Sequence, residues 1–111
     1  YYYGLEPLSS GNEYKNTIAE GIAARHPIRK EEVKDTIVGS CGSVTLVSEE
    51  EIKYALKLSL KKGIFIEPTS AVAIAGLKKL CDSKKIKEQS INVVCLTGWG
   101  MKDIETLTRV S

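Results

Sequence analysis

Apolar residues recur every three or four positions over only part of this chain, and the stretches between follow other rules. From Ser48 to Lys62, Ile52, Ala55, Leu56 and Leu60 fall on one face with lysines opposite, the period of a half-buried α-helix. Ser48-Glu49-Glu50-Glu51 opens it as a capping box: the serine hydroxyl takes a free backbone N–H and Glu51 reaches back. Gly63 is placed to close the helix in the left-handed conformation. Arg29 to Val38 carries Val33 and Ile37 four apart with Glu31 and Glu32 near its start, which predicts a shorter helix punctuated by Gly39 and Gly42. Pro68 suits the first turn of a third helix. There Ala71-Val72-Ala73-Ile74-Ala75-Gly76-Leu77 is apolar nearly all round and made of small residues, so both faces are expected to be packed closely.

Three short runs lack helical spacing. Ser43 to Val47 is β-branched, Ile64-Phe65-Ile66 is apolar and too short for a helix, and Ile91 to Leu96 is almost continuously apolar, as a strand buried on both faces would be. Strands alternating with helices predict an α/β domain: a three-layer α/β/α arrangement with a mostly parallel sheet and right-handed crossovers. Residues 1–16, with Gly4, Pro7, Ser9, Ser10, Gly11 and Asn12, read as an irregular lead-in, and 17–111 as a single α/β domain. The opening Tyr1-Tyr2-Tyr3-Gly4, without an initiator methionine, reads as the start of a piece of a longer chain.

Composition narrows the class. With 42% hydrophobic and 27% charged residues over 111 positions, the chain has the balance of one globular domain. Its longest apolar-leaning stretch, Ala71 to Leu77, is far shorter than the roughly 20 residues that span a bilayer, and no secretory signal is present, so a cytoplasmic location is expected. The net charge of +2 is dispersed, and the lysine pairs at 61–62, 78–79 and 84–85 read as solvated helix surface; nucleic acid is not the implied partner. Cys41, Cys81 and Cys95 form no Cys-x-x-Cys pair and fit reduced thiols. A zinc site is not expected, because His26, between Arg25 and Pro27, has no Cys/His cluster around it and is assigned no role.

In a parallel sheet the carboxyl ends of the strands share one rim, where open α/β sheets bind ligands; Ser48, Glu67 and Thr97 each follow a predicted strand and are expected there. In Thr97-Gly98-Trp99-Gly100 two glycines bracket an aromatic, so backbone can approach a ligand while the threonine hydroxyl faces the crevice. A turn that merely ends a strand accounts for the same residues. Glu67, at a helix start, is stabilised there by the helix dipole with or without a catalytic duty. Neither a Walker A loop nor a dinucleotide-binding glycine fingerprint occurs.

Taken together, Thr17-Ile18-Ala19-Glu20-Gly21-Ile22, Ser48-Glu49-Glu50-Glu51-Ile52, Gly63 to Ala71 and Leu96 to Asp103 resemble the C-terminal part of the threonine synthases, in the tryptophan synthase β-like group of pyridoxal-phosphate enzymes. The strongest pair is Glu67-Pro68-x-Ser70-Ala71 followed by Thr97-Gly98-x-Gly100-x-Lys102-Asp103. The resemblance implies two similar α/β domains with pyridoxal phosphate between them, this chain belonging to the C-terminal one. By the same resemblance Thr97, with Gly98 beside it, matches the position whose hydroxyl bonds the cofactor's pyridine nitrogen, and Glu67 the carboxylate near the ring. A neutral hydroxyl there does not force protonation of the nitrogen as an acid would, which leaves a milder electron sink suited to elimination and replacement chemistry.

No segment matches the family's Schiff-base lysine region or its glycine-rich phosphate loop. The resemblance therefore implies no catalytic residue within this chain, no activity of the chain alone, and dependence on the rest of its parent chain. It also implies a homodimer acting on an amino acid, with O-phosphohomoserine as substrate and threonine and phosphate as products. The family commonly has histidine where this chain has Trp99, which leaves room for a threonine dehydratase- or cysteine synthase-like substrate. A non-catalytic binding or oligomerisation domain is the contrasting class.

Overall fold

The computed structural model describes residues 17–24, 27–87 and 89–110. They divide into two compact units: residues 24–45 lie in one, and residues 17–23 with those from 46 onward make up the other. The regular elements are helical: α1 (Lys30–Gly39), α2 (Glu49–Lys61), α3 (Pro68–Asp82) and α4 (Ile104–Val110), with 3-10 turns at Glu20–Ile22 and Gly100–Asp103.

In the first unit α1 begins close to the expected point, and an ion pair joins Arg29 to Glu32 across its first turn. Its end differs from the glycine-punctuated stop that was expected. Gly39 is the last helical residue, and the left-handed position falls on Cys41, with φ 53°. There the Cys41 N–H reaches Val38 O at 3.0 Å and the Gly42 N–H reaches Ile37 O at 2.8 Å, so the final carbonyls are satisfied.

The second unit holds the core. Ile52, Ala55 and Leu56 of α2 lie buried with Ala71 and Ala75 of α3, and Ala19, Ile66 and Leu107 complete the cluster. The alanines keep the two helices close, and Leu56 fills the contact, being fully buried. The predicted capping box is present: the Glu51 N–H donates to Ser48 Oγ at 3.3 Å, and the Ser48 N–H donates to Glu51 Oε2 at 2.6 Å. Gly63 takes the left-handed cap, with φ 75°. On α3 the expectation of packing on both faces is corrected: Ala71 and Ala75 are buried, Ala73 is exposed, and Val72, Ile74, Gly76 and Leu77 are half-buried.

The predicted parallel sheet is absent among the described residues. Segments 43–47 and 91–96 carry no strand ladder, and the Ile64–Ile66 run contributes one isolated bridge, from Ile66 to Trp99, which is antiparallel. A helix satisfies its hydrogen bonds within itself, whereas every strand bond needs a neighbour, and a parallel strand buried on both faces needs one on each side. No such neighbours stand among the described residues. Ile91 is 96% exposed and Val93 92%, so the apolar pattern is real while its covering is missing. The 3-10 turn at Gly100–Asp103 and α4 had no counterpart in the expected elements; the Asp103 carboxylate accepts the Thr106 N–H at 3.2 Å at the start of α4. No helix among the described residues is long and apolar enough to cross a membrane.

The Glu51 carboxyl lies below its ordinary pKa, first through the Ser48 backbone N–H and then through the Lys79 side chain. A carboxyl with a lowered folded-state pKa stabilises the fold above its unfolded-state value, and that contribution disappears as pH falls through the folded-state value. Ser48→Ala is expected to cost about 1 kcal/mol through loss of the cap. Urea unfolding should show this loss at neutral pH, and acid sensitivity should weaken in Glu51→Gln; an unchanged midpoint in Ser48→Ala would show that the cap contributes nothing.

Candidate functional site

Glu67 is the N-cap residue of α3, yet its side chain makes no cap bond to that helix. The carboxylate lies instead over Gly98: a Cβ built on Gly98 would come within 1.8 Å of Glu67 Oε1 and 2.0 Å of its Cδ. The Glu67 backbone N–H donates to Gly98 O at 3.2 Å. Three residues on, the hydroxyl of Ser70 accepts the Gly98 N–H at 2.8 Å and lies 3.3 Å from Gly98 O, to which it donates. The start of α3 and the turn after Leu96 are thus joined along 28 residues of sequence separation.

Of the expected rim residues, Glu67 lies against Gly98, and Thr97, the residue before it in the chain, is exposed. The bonds of Ser48 run to Glu51 at the start of α2, so it serves that helix and not this turn. The Gly98 backbone was expected to let a ligand approach; in the structure the Glu67 carboxylate takes the space a side chain there would need. Gly100 is closed in by hydrocarbon: a Cβ there would sit 2.9 Å from Leu107 Cδ1 and 3.0 Å from Phe65 Cε2. Trp99 stands between the glycines, 64% exposed, with its ring edge-on to Phe65 at 6.2 Å. His26 lies outside the described residues.

The four segments that carry the sequence resemblance meet in this unit. The Ile18 N–H donates to Glu49 Oε2 at 3.1 Å, tying the first segment to the start of α2. At Gly21 a Cβ would lie 2.8 Å from Thr69 Oγ1, so the 3-10 turn presses its backbone against the first turn of α3. Ser70 then links α3 to Gly98. Sequence reasoning placed Ser70 in the Glu67-Pro68-x-Ser70-Ala71 motif but gave it no role of its own; its place three residues after an N-cap carboxylate was the available signal.

A groove of about 740 Å³ beside α2 and α3 is lined by Glu51, Tyr54, Lys78, Lys79 and Asp82 among others, and includes none of Glu67, Ser70, Thr97 and Gly98. Its lysines are engaged. Lys78 lies 2.7 Å from Asp82, whose hydrogen bond raises the lysine pKa, and Lys79 lies 3.2 Å from Glu51 and 2.8 Å from Leu46 O. Chemistry is better sought at the Thr97–Gly98 turn, where Thr97 is exposed and the Glu67 carboxylate lies against Gly98.

This chain belongs to the family of pyridoxal-phosphate dependent enzymes, whose model matches residues 4–98. Pyridoxal phosphate is the cofactor of that family. Among its relatives, the threonine synthase of Methanocaldococcus jannaschii is 43% identical over 102 residues, covering 88% of this chain and 25% of the relative. The threonine synthase of Halalkalibacterium halodurans is 39% identical over 95 residues, 85% of this chain and 27% of the relative. The serine racemase of Dictyostelium discoideum is 31% identical across 97% of this chain and 37% of its own length. The chain therefore spans about a quarter of the length of the threonine synthases it matches.

Proposed function

We propose that this chain supplies the pyridine-ring side of the cofactor site in a threonine synthase, which converts O-phosphohomoserine and water to threonine and phosphate. The observation that carries the reading is the Glu67–Ser70–Gly98 cluster, which gathers the two strongest matching motifs around one turn. The similarity to threonine synthases supports the substrate, and the similarity to a serine racemase keeps serine as the competing one.

The residues fit the ring side of pyridoxal phosphate. At Gly98 the side-chain space is already filled by the Glu67 carboxylate, so glycine keeps the turn low and leaves the Thr97 hydroxyl exposed at its edge. In this reading Thr97 offers the pyridine nitrogen a neutral hydroxyl, and Glu67 holds negative charge beside the ring. When bound, the cofactor supplies the electron sink for carbanion chemistry at the amino acid. A hydroxyl at the nitrogen leaves that sink mild, whereas a carboxylate in the same place would hold a proton there. No lysine of this chain is assigned to carry the cofactor, and the apolar segments 43–47 and 91–96 would become strands against neighbours that the described residues do not supply. The whole enzyme is expected to be a cytoplasmic homodimer.

The test is made on the cofactor-loaded enzyme that contains this chain, by following phosphate release and threonine formation from O-phosphohomoserine, with L-serine in parallel. Stoichiometric threonine and phosphate support the reading. Turnover of serine with none of O-phosphohomoserine would move the assignment to a racemase- or dehydratase-like enzyme.

A further inference from the structure

Among the described residues, several hydroxyls bond back within their own helices. Ser59, though buried, donates to Ala55 O at 2.8 Å, one turn back in α2, and Thr36 does the same to Glu32 O at 2.8 Å in α1. Ser70 is 1% exposed and behaves differently. Its hydroxyl leaves α3 and bonds the peptide groups on both sides of Gly98, accepting from N at 2.8 Å and donating to O at 3.3 Å.

The amide accepted by Ser70 is the one between Thr97 and Gly98, so this bond fixes how that peptide is turned and hence where Thr97 presents its side chain. The Gly98 carbonyl also accepts the Glu67 N–H at 3.2 Å. Both peptides of the turn are thereby referred to the first turn of α3, the same turn from which the Glu67 carboxylate extends. Without Ser70 the Gly98 N–H would lose its partner in a half-buried position, where an unpaired amide is costly and the backbone turns to find water.

We infer that Ser70 is a positioning residue that sets the Thr97 hydroxyl and the Glu67 carboxylate in one frame for the cofactor ring. The inference rests on the proposed role of Thr97, and it assigns Ser70 no contact with the cofactor or the substrate. Its signature is dependence: Ser70 matters to the cofactor only as long as Thr97 has a hydroxyl to place.

The experiment is a double-mutant cycle on the enzyme containing this chain, reading the dissociation constant of pyridoxal phosphate by titration of the apoenzyme, followed through visible absorbance. Ser70→Ala and Thr97→Val are each expected to weaken binding roughly tenfold, the loss of one hydrogen bond, and the double variant to be no weaker than Thr97→Val alone. Ser59→Ala, an equally buried hydroxyl without a link to the turn, is expected to leave the constant unchanged. Ser70→Cys, close in volume with a weaker donor and acceptor, should fall between wild type and alanine, and replaces the alanine variant if that one does not fold. Losses that multiply to roughly a hundredfold in the double variant would overturn the inference. So would a Ser70 variant that binds like wild type while Thr97→Val is weakened. If Thr97→Val itself binds normally, the role of Thr97 fails and the inference falls with it.

Discussion

Gly98→Ala is expected to reduce turnover of the enzyme containing this chain about a hundredfold while leaving its unfolding midpoint nearly unchanged, since misplacing a group by about 1 Å can cost that much. The added methyl would fall within 1.8 Å of Glu67 Oε1 and 2.0 Å of Glu67 Cδ. Those atoms are the far end of a flexible side chain, so the carboxylate swings away and the backbone stays. The damage is then confined to the position of Glu67. Gly100→Ala, one residue past Trp99, provides the contrast: its methyl would press on Leu107 and the Phe65 ring at 2.9 and 3.0 Å, and overpacking of this kind costs about 1–3 kcal/mol. Steady-state kinetics and urea unfolding of both variants separate the two glycines. In the Gly98→Ala background, Glu67→Ala should cause little further loss; a large additional loss would mean that the carboxylate had not been displaced.

Leu56→Ala is the substitution expected to cost most stability. Leu56 is fully buried in the cluster that α2 shares with Ala71 and Ala75 of α3. Losing its methyls and leaving a cavity should cost about 3 kcal/mol. Lys57→Ala, exposed on the opposite side of the same helix, should stay within about 0.5 kcal/mol of wild type. Urea denaturation of the purified enzyme carrying either substitution measures both. A loss below about 1 kcal/mol for Leu56→Ala would place the main packing interface elsewhere.

The elements that were legible are those whose information is local. The capping box at Ser48–Glu51, Pro68 at the start of α3 and Gly63 beyond the end of α2 each act within a few residues, and each is found where the pattern puts it. The sheet was not legible in this sense. Ile91 to Leu96 has the composition of a buried strand, but a strand is a statement about neighbours, and the described residues bring it none. Helix α4 escaped notice because it is seven residues long and, among the described side chains, brings Leu107 to the core.

The candidate site was legible in its ends and not in its linkage. Glu67 and Thr97 drew attention as residues that close predicted strands, yet the contact that unites their segments is antiparallel and side-chain mediated, from Ile66 to Trp99 and from Ser70 to Gly98. A hydroxyl that acts 28 residues away leaves no periodic trace. The same holds for Gly21, whose missing side chain is explained only once Thr69 is seen against it.

Whether Thr97 presents a neutral hydroxyl to the cofactor's pyridine nitrogen can be read from the 15N resonance of that nitrogen. The enzyme containing this chain would be loaded with ring-labelled pyridoxal phosphate, as wild type and as Thr97→Asp. An unprotonated nitrogen is expected in the wild type and a protonated one in Thr97→Asp, because a carboxylate in that position stabilises the added charge. Identical resonances in the two proteins would show that Thr97 does not face the ring nitrogen.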